Sequence, residues 1–156
     1  GFPGMAVLQF AFESELQQSD FLPHNYRRNC LVYTGTHDND TVKGWWHSTT
    51  ERERAFASEY LGVHDADAAC WAMVSACARS VANIAVFQLQ DVLGLDGFHR
   101  MNTPGTTGWW TWRFDWAWFP GAMTARLARL TAATGRGPFD LLPLPAYPAD
   151  KIKPGS

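Results

Sequence analysis

Cysteine is scarce in this sequence: Cys30, Cys70 and Cys77 are the only three among 156 residues. Disulfide scaffolds use even and denser sets, so a stapled secreted framework is excluded. Cys70 and Cys77 stand seven positions apart on one face of an expected helix, and buried, reduced thiols are the reading for them. Basic charge is thin as well. Net charge is −2, and the densest basic pair, Arg27 and Arg28, sits in a polar stretch. Nucleic acid, which demands a concentrated positive face, is therefore not an expected partner. No apolar run nears the roughly 18–20 residues of a membrane-crossing helix. No basic start leads into an apolar, signal-like middle. A cytoplasmic location without membrane contact is the expectation. Internal repeats and low-complexity segments are missing too.

What remains is the composition of one ordinary globular domain, 46% hydrophobic and 18% charged, long enough to bury a core. "GFPGM" nevertheless opens on a turn directly before a strand-like run, and a fragment of a larger protein is expected. "MAVLQFAF" (5–12) reads as a buried strand, residues 13–30 as a polar connection broken by Pro23, and "LVYTGT" (31–36) as a second strand. A helix should start near Thr41 and carry Trp45 and Trp46. Residues 49–62 should form another, with a Thr cap and Gly62 at its end; 65–80 a third, capped by Asp65 or Asp67. Ile84 to Leu89 return to strand character. Residues 97–114 are irregular, 122–134 form an amphipathic helix, and a proline-rich tail from Pro138 should run over the surface. Strands separated by helices imply parallel β-α units. Three strands are too few to close a barrel, which again points to a fragment.

Chemistry in such folds gathers where strands end. "TGTHDND" (34–40) holds that position, with small residues leading into His37, Asp38, Asn39 and Asp40. Asp and Asn also favour turns by bonding nearby backbone, so a plain turn competes with a site. As a site, the cluster could bind metal for phosphohydrolase chemistry, with His24 and His64 as the only further ligand candidates. No CxxC and no His pair at helical spacing supports that. Carbohydrate chemistry fits better: sugar rings have apolar faces and dense hydroxyls. The 8 Trp, 10 Phe and 4 Tyr interleave here with Asp, Asn and His.

"FPGMAVLQFAF", "FLPHNY", "VYTGTHDNDT" followed by "GWW", and "QDVLGL" followed by "RMNTPGT" resemble, in that order, the C-terminal part of the amylomaltase family of 4-α-glucanotransferases. The resemblance covers about residues 2–114. It implies an α/β fold, the C-terminal portion of a (β/α)8 barrel of the α-amylase-related type, with residues 1–156 as part of one catalytic barrel truncated at the N-terminus. Its strands would be the sixth to eighth. It implies transfer of α-1,4-glucan segments between malto-oligosaccharides with retention, through an Asp nucleophile and a Glu acid/base on earlier strands, and no cofactor or metal. Asp38 would be the third carboxylate, which stabilises the transition state, with His37 touching sugar hydroxyls. His24, Asn25 and Asn102 would border the glucan. A non-catalytic glucan-binding module remains the alternative. One departure stands out: Gly108-Trp109-Trp110 occupies a place where Gly-Asn-Trp is expected, while Trp112 and Arg113 should brace the loop.

Overall fold

Parallel pairing of three short strands organises the chain. In the computed structural model, which describes residues 1–13 and 18–137, β1 is Gly4–Val7, β2 is Cys30–Tyr33 and β3 is Ile84–Val86. The order is β1-β2-β3, with β2 in the middle. Met5 stands opposite Leu31, and Leu31 opposite Ile84. Five helices complete the described chain: α1 Val42–Ser48, α2 Glu51–Leu61, α3 Ala66–Arg79, α4 Leu89–Leu93 and α5 Gly121–Ala133. The helix starts are written in the sequence. Thr41 accepts from Gly44 N–H at the start of α1, Thr50 and Glu53 form a reciprocal capping box, and Asp65 accepts from Ala68 N–H. Gly62 ends α2 with φ +68°, a conformation that costs glycine little.

Side chains alternate across the sheet, and its two faces have different fates. Ala6, Cys30 and Val32 point into a core with Val42, Trp46, Met73 and Cys77. The opposite face carries Met5, Leu31, Tyr33, Ile84 and Val86. Met5 is 61% exposed, Ile84 50% and Val86 39%. All three cysteines are buried and unpaired, as the spacing of Cys70 and Cys77 suggested for those two.

Each strand is shorter than its apolar run. β1 stops at Val7, and Leu8–Ala11 curl into a 3-10 turn instead of continuing. The turn buries Leu8, Ala11 and Phe12 together, and sets the Phe12 ring 5.6 Å from Trp45 and 5.7 Å from Phe56. A straight strand would have split these side chains from Ala11. β2 ends at Tyr33; Thr34 O still accepts from Gln9 N–H at 3.4 Å, but the Thr36 backbone N–H turns to Asn39 Oδ1 instead of a neighbouring strand. β3 ends at Val86, and Leu89, expected as strand, opens α4. The connection after β1 contains a 3-10 turn at Pro23–Asn25, and the irregular 97–114 segment begins with another at Gly97–His99. The tail from Pro138 lies outside the described residues.

Candidate active site

The loop after β2 is built by side chains reaching in from distant segments. Asn39 Oδ1 accepts from the Thr36 backbone N–H at 2.9 Å and its hydroxyl at 2.8 Å, and Asn39 N–H donates to Thr36 O at 3.0 Å, which closes a turn over residues 36–39. Gln88 Nε2 donates to Thr36 O at 2.6 Å, and Gln9 Nε2 donates to Asp40 O at 2.9 Å. These two amides press on Gly35. A Cβ there would lie 2.7 Å from Gln9 Nε2 and 2.9 Å from Gln88 Nε2, so any larger residue would have to push these two amides from their places. The turn and the site are thus one object: the turn displays His37 and Asp38 outward.

Asp38 lies in the loop beyond the C-terminal end of the central strand, with 49% of its side chain exposed. Its Oδ1 accepts from Asn102 Nδ2 at 2.7 Å, and its Oδ2 lies 3.4 Å from His37 Nε2. Oδ2 has no protein donor as close as the one on Oδ1. The His37 ring leans on Trp110, with centroids 5.1 Å apart. Trp110 holds φ +68°, the one non-glycine residue with positive φ among the described residues. An α-L conformation at a bulky residue stores strain of the kind that marks functional loops. His37, Asp38, Gly35 and Gln88 line a cleft of about 390 Å³, floored by Met5, Tyr33 and Val86 from the open sheet face.

Arg100 fastens the two loops together. Its Nη2 donates to Asp38 O at 3.0 Å, its Nε to Asn102 O at 2.8 Å, and its Nη1 lies 3.6 Å from Asp40 Oδ2. The other Asp40 oxygen accepts from Thr41 N–H at 2.8 Å. Asp40 fits because Gly44 and Gly97 flank it: a Cβ on Gly44 would fall 2.3 Å from Oδ1, and one on Gly97 3.0 Å away. Asp40 is therefore a structural anion committed to Arg100. The 97–114 loop braces itself as expected: Trp112 Nε1 donates to His99 Nδ1 at 3.1 Å, and Arg113 Nη1 to Trp112 O at 2.9 Å. Trp109 donates to Thr106 Oγ1 and faces the Arg100 guanidinium at 6.0 Å.

Beneath the loop lies Asp91 of α4, fully buried. Its Oδ2 accepts from Thr34 Oγ1 at 2.5 Å and its Oδ1 from Val42 N–H at 2.7 Å. Burial pushes its carboxyl up from 3.8 to about 6, with the two hydrogen bonds opposing and the Asp40 charge adding. Burial also pushes the Cys70 thiol up to about 12, and Cys77 higher still. Neither thiol is a nucleophile at neutral pH.

The structure brings His37, Asp38 and Asn102 together and sets His24 and Asn25 apart from them. His24 Nδ1 is 3.0 Å from the Tyr60 hydroxyl of α2, and Asn25 Nδ2 donates to Ser19 O at 3.0 Å. Asn25 lines a hollow with Gly4 and Cys30, at the N-terminal ends of the strands. The cause is Tyr26, buried near Cys30 and bonded to Phe21 O at 2.8 Å, which draws the turn to that side. The roles of Arg100 and Asp91 are not visible in the sequence: Arg100 lies 60 positions from Asp40, and no local pattern links them. For the metal alternative, no three His, Cys, Asp or Glu side chains among the described residues converge to hold an ion.

Residues 1–118 match the sequence profile of the 4-alpha-glucanotransferase family. The 4-alpha-glucanotransferase of Thermus thermophilus is 43% identical over 148 residues, covering 87% of this chain and 29% of that protein. The chloroplastic/amyloplastic 4-alpha-glucanotransferase of Solanum tuberosum is 46% identical over 112 residues, covering 71% of this chain and 19% of the relative. Among solved structures, amylomaltase from Streptococcus agalactiae, in complex with acarbose, superposes with a TM-score of 0.83 at 30% identity over 88% of this chain and 28% of that one. The chain thus spans less than a third of the length of these relatives. On the profile match, the shared sequence and the shared parallel α/β architecture, the chain belongs to the 4-alpha-glucanotransferase family.

Proposed function

We propose that this chain supplies strands six to eight of a (β/α)8 barrel and, with them, the transition-state-stabilising carboxylate of a retaining 4-α-glucanotransferase. One observation carries the reading. Asp38 sits in the loop that follows the central parallel strand, held at Oδ1 by Asn102 and at its carbonyl by Arg100, and its half-exposed side chain lines the cleft. A retaining transfer passes through an oxocarbenium-like state, and acceptors that grip ring hydroxyls more tightly there lower the barrier. A carboxylate already held in place does so without reorganising. His37, tilted against Trp110, offers a second polar contact beside an aromatic face suited to a sugar ring. The barrel is supported by the apolar sheet face of Met5, Ile84 and Val86, which barrel packing would cover. A cytoplasmic location belongs to this reading, and three unpaired buried thiols suit a reducing compartment. His24 and Asn25 have no part in it that their positions support.

The second reading, a glucan-binding module, draws on what surrounds Asp38. Asp40 is paired with Arg100, and Asp91 is buried. Among the described residues neither can serve as nucleophile or acid/base in the Asp38 cleft. The family pattern places those groups on earlier strands. Incubating the complete polypeptide that carries this chain with maltotriose should therefore give a ladder of shorter and longer malto-oligosaccharides. The 156 residues alone should give none. Glucan binding without a ladder from the complete polypeptide would favour the binding module instead.

Arg100 should matter through Asp38 and Asn102. Arg100→Ala leaves two carbonyls and the Asp40 carboxylate without their donor, and is expected to lower kcat/KM on maltotriose by roughly 10–30-fold, about 1.5–2 kcal/mol. Arg100→Lys should recover little, because one ammonium cannot replace a planar fork bonding three acceptors. Wild-type rates for the lysine variant would show that charge alone suffices.

A further inference from the structure

We propose that Asp91 is a positioning residue for Asp38: its buried carboxylate clamps both ends of the loop that carries the reactive side chains. The proposal rests on the glucanotransferase reading and deepens it. Thr34 is the residue that follows β2, and Val42 is the first residue of α1. These two points bracket the loop that carries His37, Asp38 and Asp40, whose interior is held in addition by Gln9, Gln88, Arg100 and Asn102. Asp91 commits one oxygen to each, 2.5 Å to Thr34 Oγ1 and 2.7 Å to Val42 N–H. The separation of the loop ends is therefore fixed by the width of one carboxyl group.

The bond to Val42 has a second effect. Val42 N–H is one of the donors that the first turn of a helix leaves unsatisfied, and Val42 is completely buried. Without Asp91, that donor and the Thr34 hydroxyl, also completely buried, have no water to turn to. The least costly relief is movement of the loop ends. Displacement of a positioned group by about 1 Å can cost a factor on the order of 100 in rate. Asp91 reaches its place because α4 starts directly after Gln88, whose own side chain grips Thr36 O on the same loop. Two neighbouring residues thus hold the loop from below, at its ends and near its middle. The groups facing Asp91 are Asp40 from the loop and the thiols of Cys70 and Cys77 from α3. No cation is among them to compete for its oxygens.

The test uses the complete polypeptide and maltotriose. Asp91→Ala should lower kcat by at least about tenfold with KM changed less than about threefold, because Asp38 acts mainly in the transition state. Asp91→Asn presents an acceptor to Val42 and a donor to Thr34, and should recover kcat to within about threefold of wild type. On an Asp38→Asn background, adding Asp91→Ala should cost less than about twofold, since coupled residues are non-additive. Full additivity, or no recovery with Asn, would overturn the clamp and leave Asp91 a general fold element. Should Asp91→Ala fail to fold, Thr34→Val and Thr34→Ser carry the same cycle. Loss with valine and recovery with serine support the clamp, and full additivity with Asp38→Asn overturns it. An Asp38→Asn variant of wild-type activity would instead remove Asp38 from the mechanism, and with it the reading on which the clamp rests.

Discussion

Asp38→Asn is expected to lower kcat/KM on maltotriose by at least about 150-fold, near 3 kcal/mol of lost transition-state stabilisation. The shape of the site should survive. Asn102 Nδ2 donates to Asp38 Oδ1 at 2.7 Å, and an asparagine can keep that bond through its own carbonyl oxygen. Its amide then occupies the place of Oδ2, 3.4 Å from His37 Nε2. An anionic acceptor facing the cleft is thereby exchanged for a neutral donor. Hydroxyls of a bound sugar lose a charge-assisted bond where positive charge develops on the ring. Ground-state binding depends less on that charge, so the loss should fall on kcat more than on KM. Asp38 is half exposed, so the fold should feel the change by no more than about 0.5 kcal/mol. Steady-state kinetics on the complete polypeptide, with urea unfolding as a parallel measurement, separates the two effects. Near wild-type kcat would remove Asp38 from the mechanism.

The candidacy of Asp38 is legible from position: a polar cluster following an apolar strand is visible in a single sequence, and so are the caps at Thr41, Thr50 and Asp65. Those signals are local. Each depends on residues within four positions of one another, where residue type alone decides which backbone groups are satisfied. Strand length is not visible, because Leu8, Phe10 and Phe12 have the apolar character of a strand whether or not the chain curls. What bends it is burial of Leu8, Ala11 and Phe12 against Trp45 and Phe56, a tertiary demand. α4 is hidden for the same reason. "VFQLQDVLG" suits a strand by composition, yet Gln88 and Asp91 must reach Thr36, Thr34 and Val42, over 49 to 57 positions of chain. Arg100 belongs with them: two of its three acceptors, Asp38 O and the Asp40 carboxylate, are supplied by another segment. The side chains that touch substrate in the proposed site can be read from the sequence. Those that hold them still cannot.

Holding them still should carry a measurable cost in stability. Asp91 titrates at about 6 in the folded protein, against an ordinary 3.8, because burial disfavours its charged form. Folding therefore gains from the protonated group below pH 3.8, and the gain is lost as pH rises through about 6. A shift of this size corresponds to about 3 kcal/mol. The groups around Asp91 sharpen the effect: the Asp40 charge opposes ionisation, while Cys70 and Cys77 stay neutral throughout this range. Asp91→Asn removes the titration while keeping the shape. The stability of this variant relative to wild type should therefore rise by roughly 2 kcal/mol between pH 4 and pH 7, most of the full effect. Urea unfolding of both proteins at several pH values across that range measures the difference directly, and other carboxylates cancel in it. A flat difference would mean that Asp91 ionises as easily folded as unfolded. The expected slope means that at neutral pH the protein retains an unfavourable buried charge, whose two hydrogen bonds are the ones that hold Thr34 and Val42 on either side of Asp38. Stability given up for the geometry of an active loop is the trade expected where a fold has been shaped for chemistry rather than for persistence.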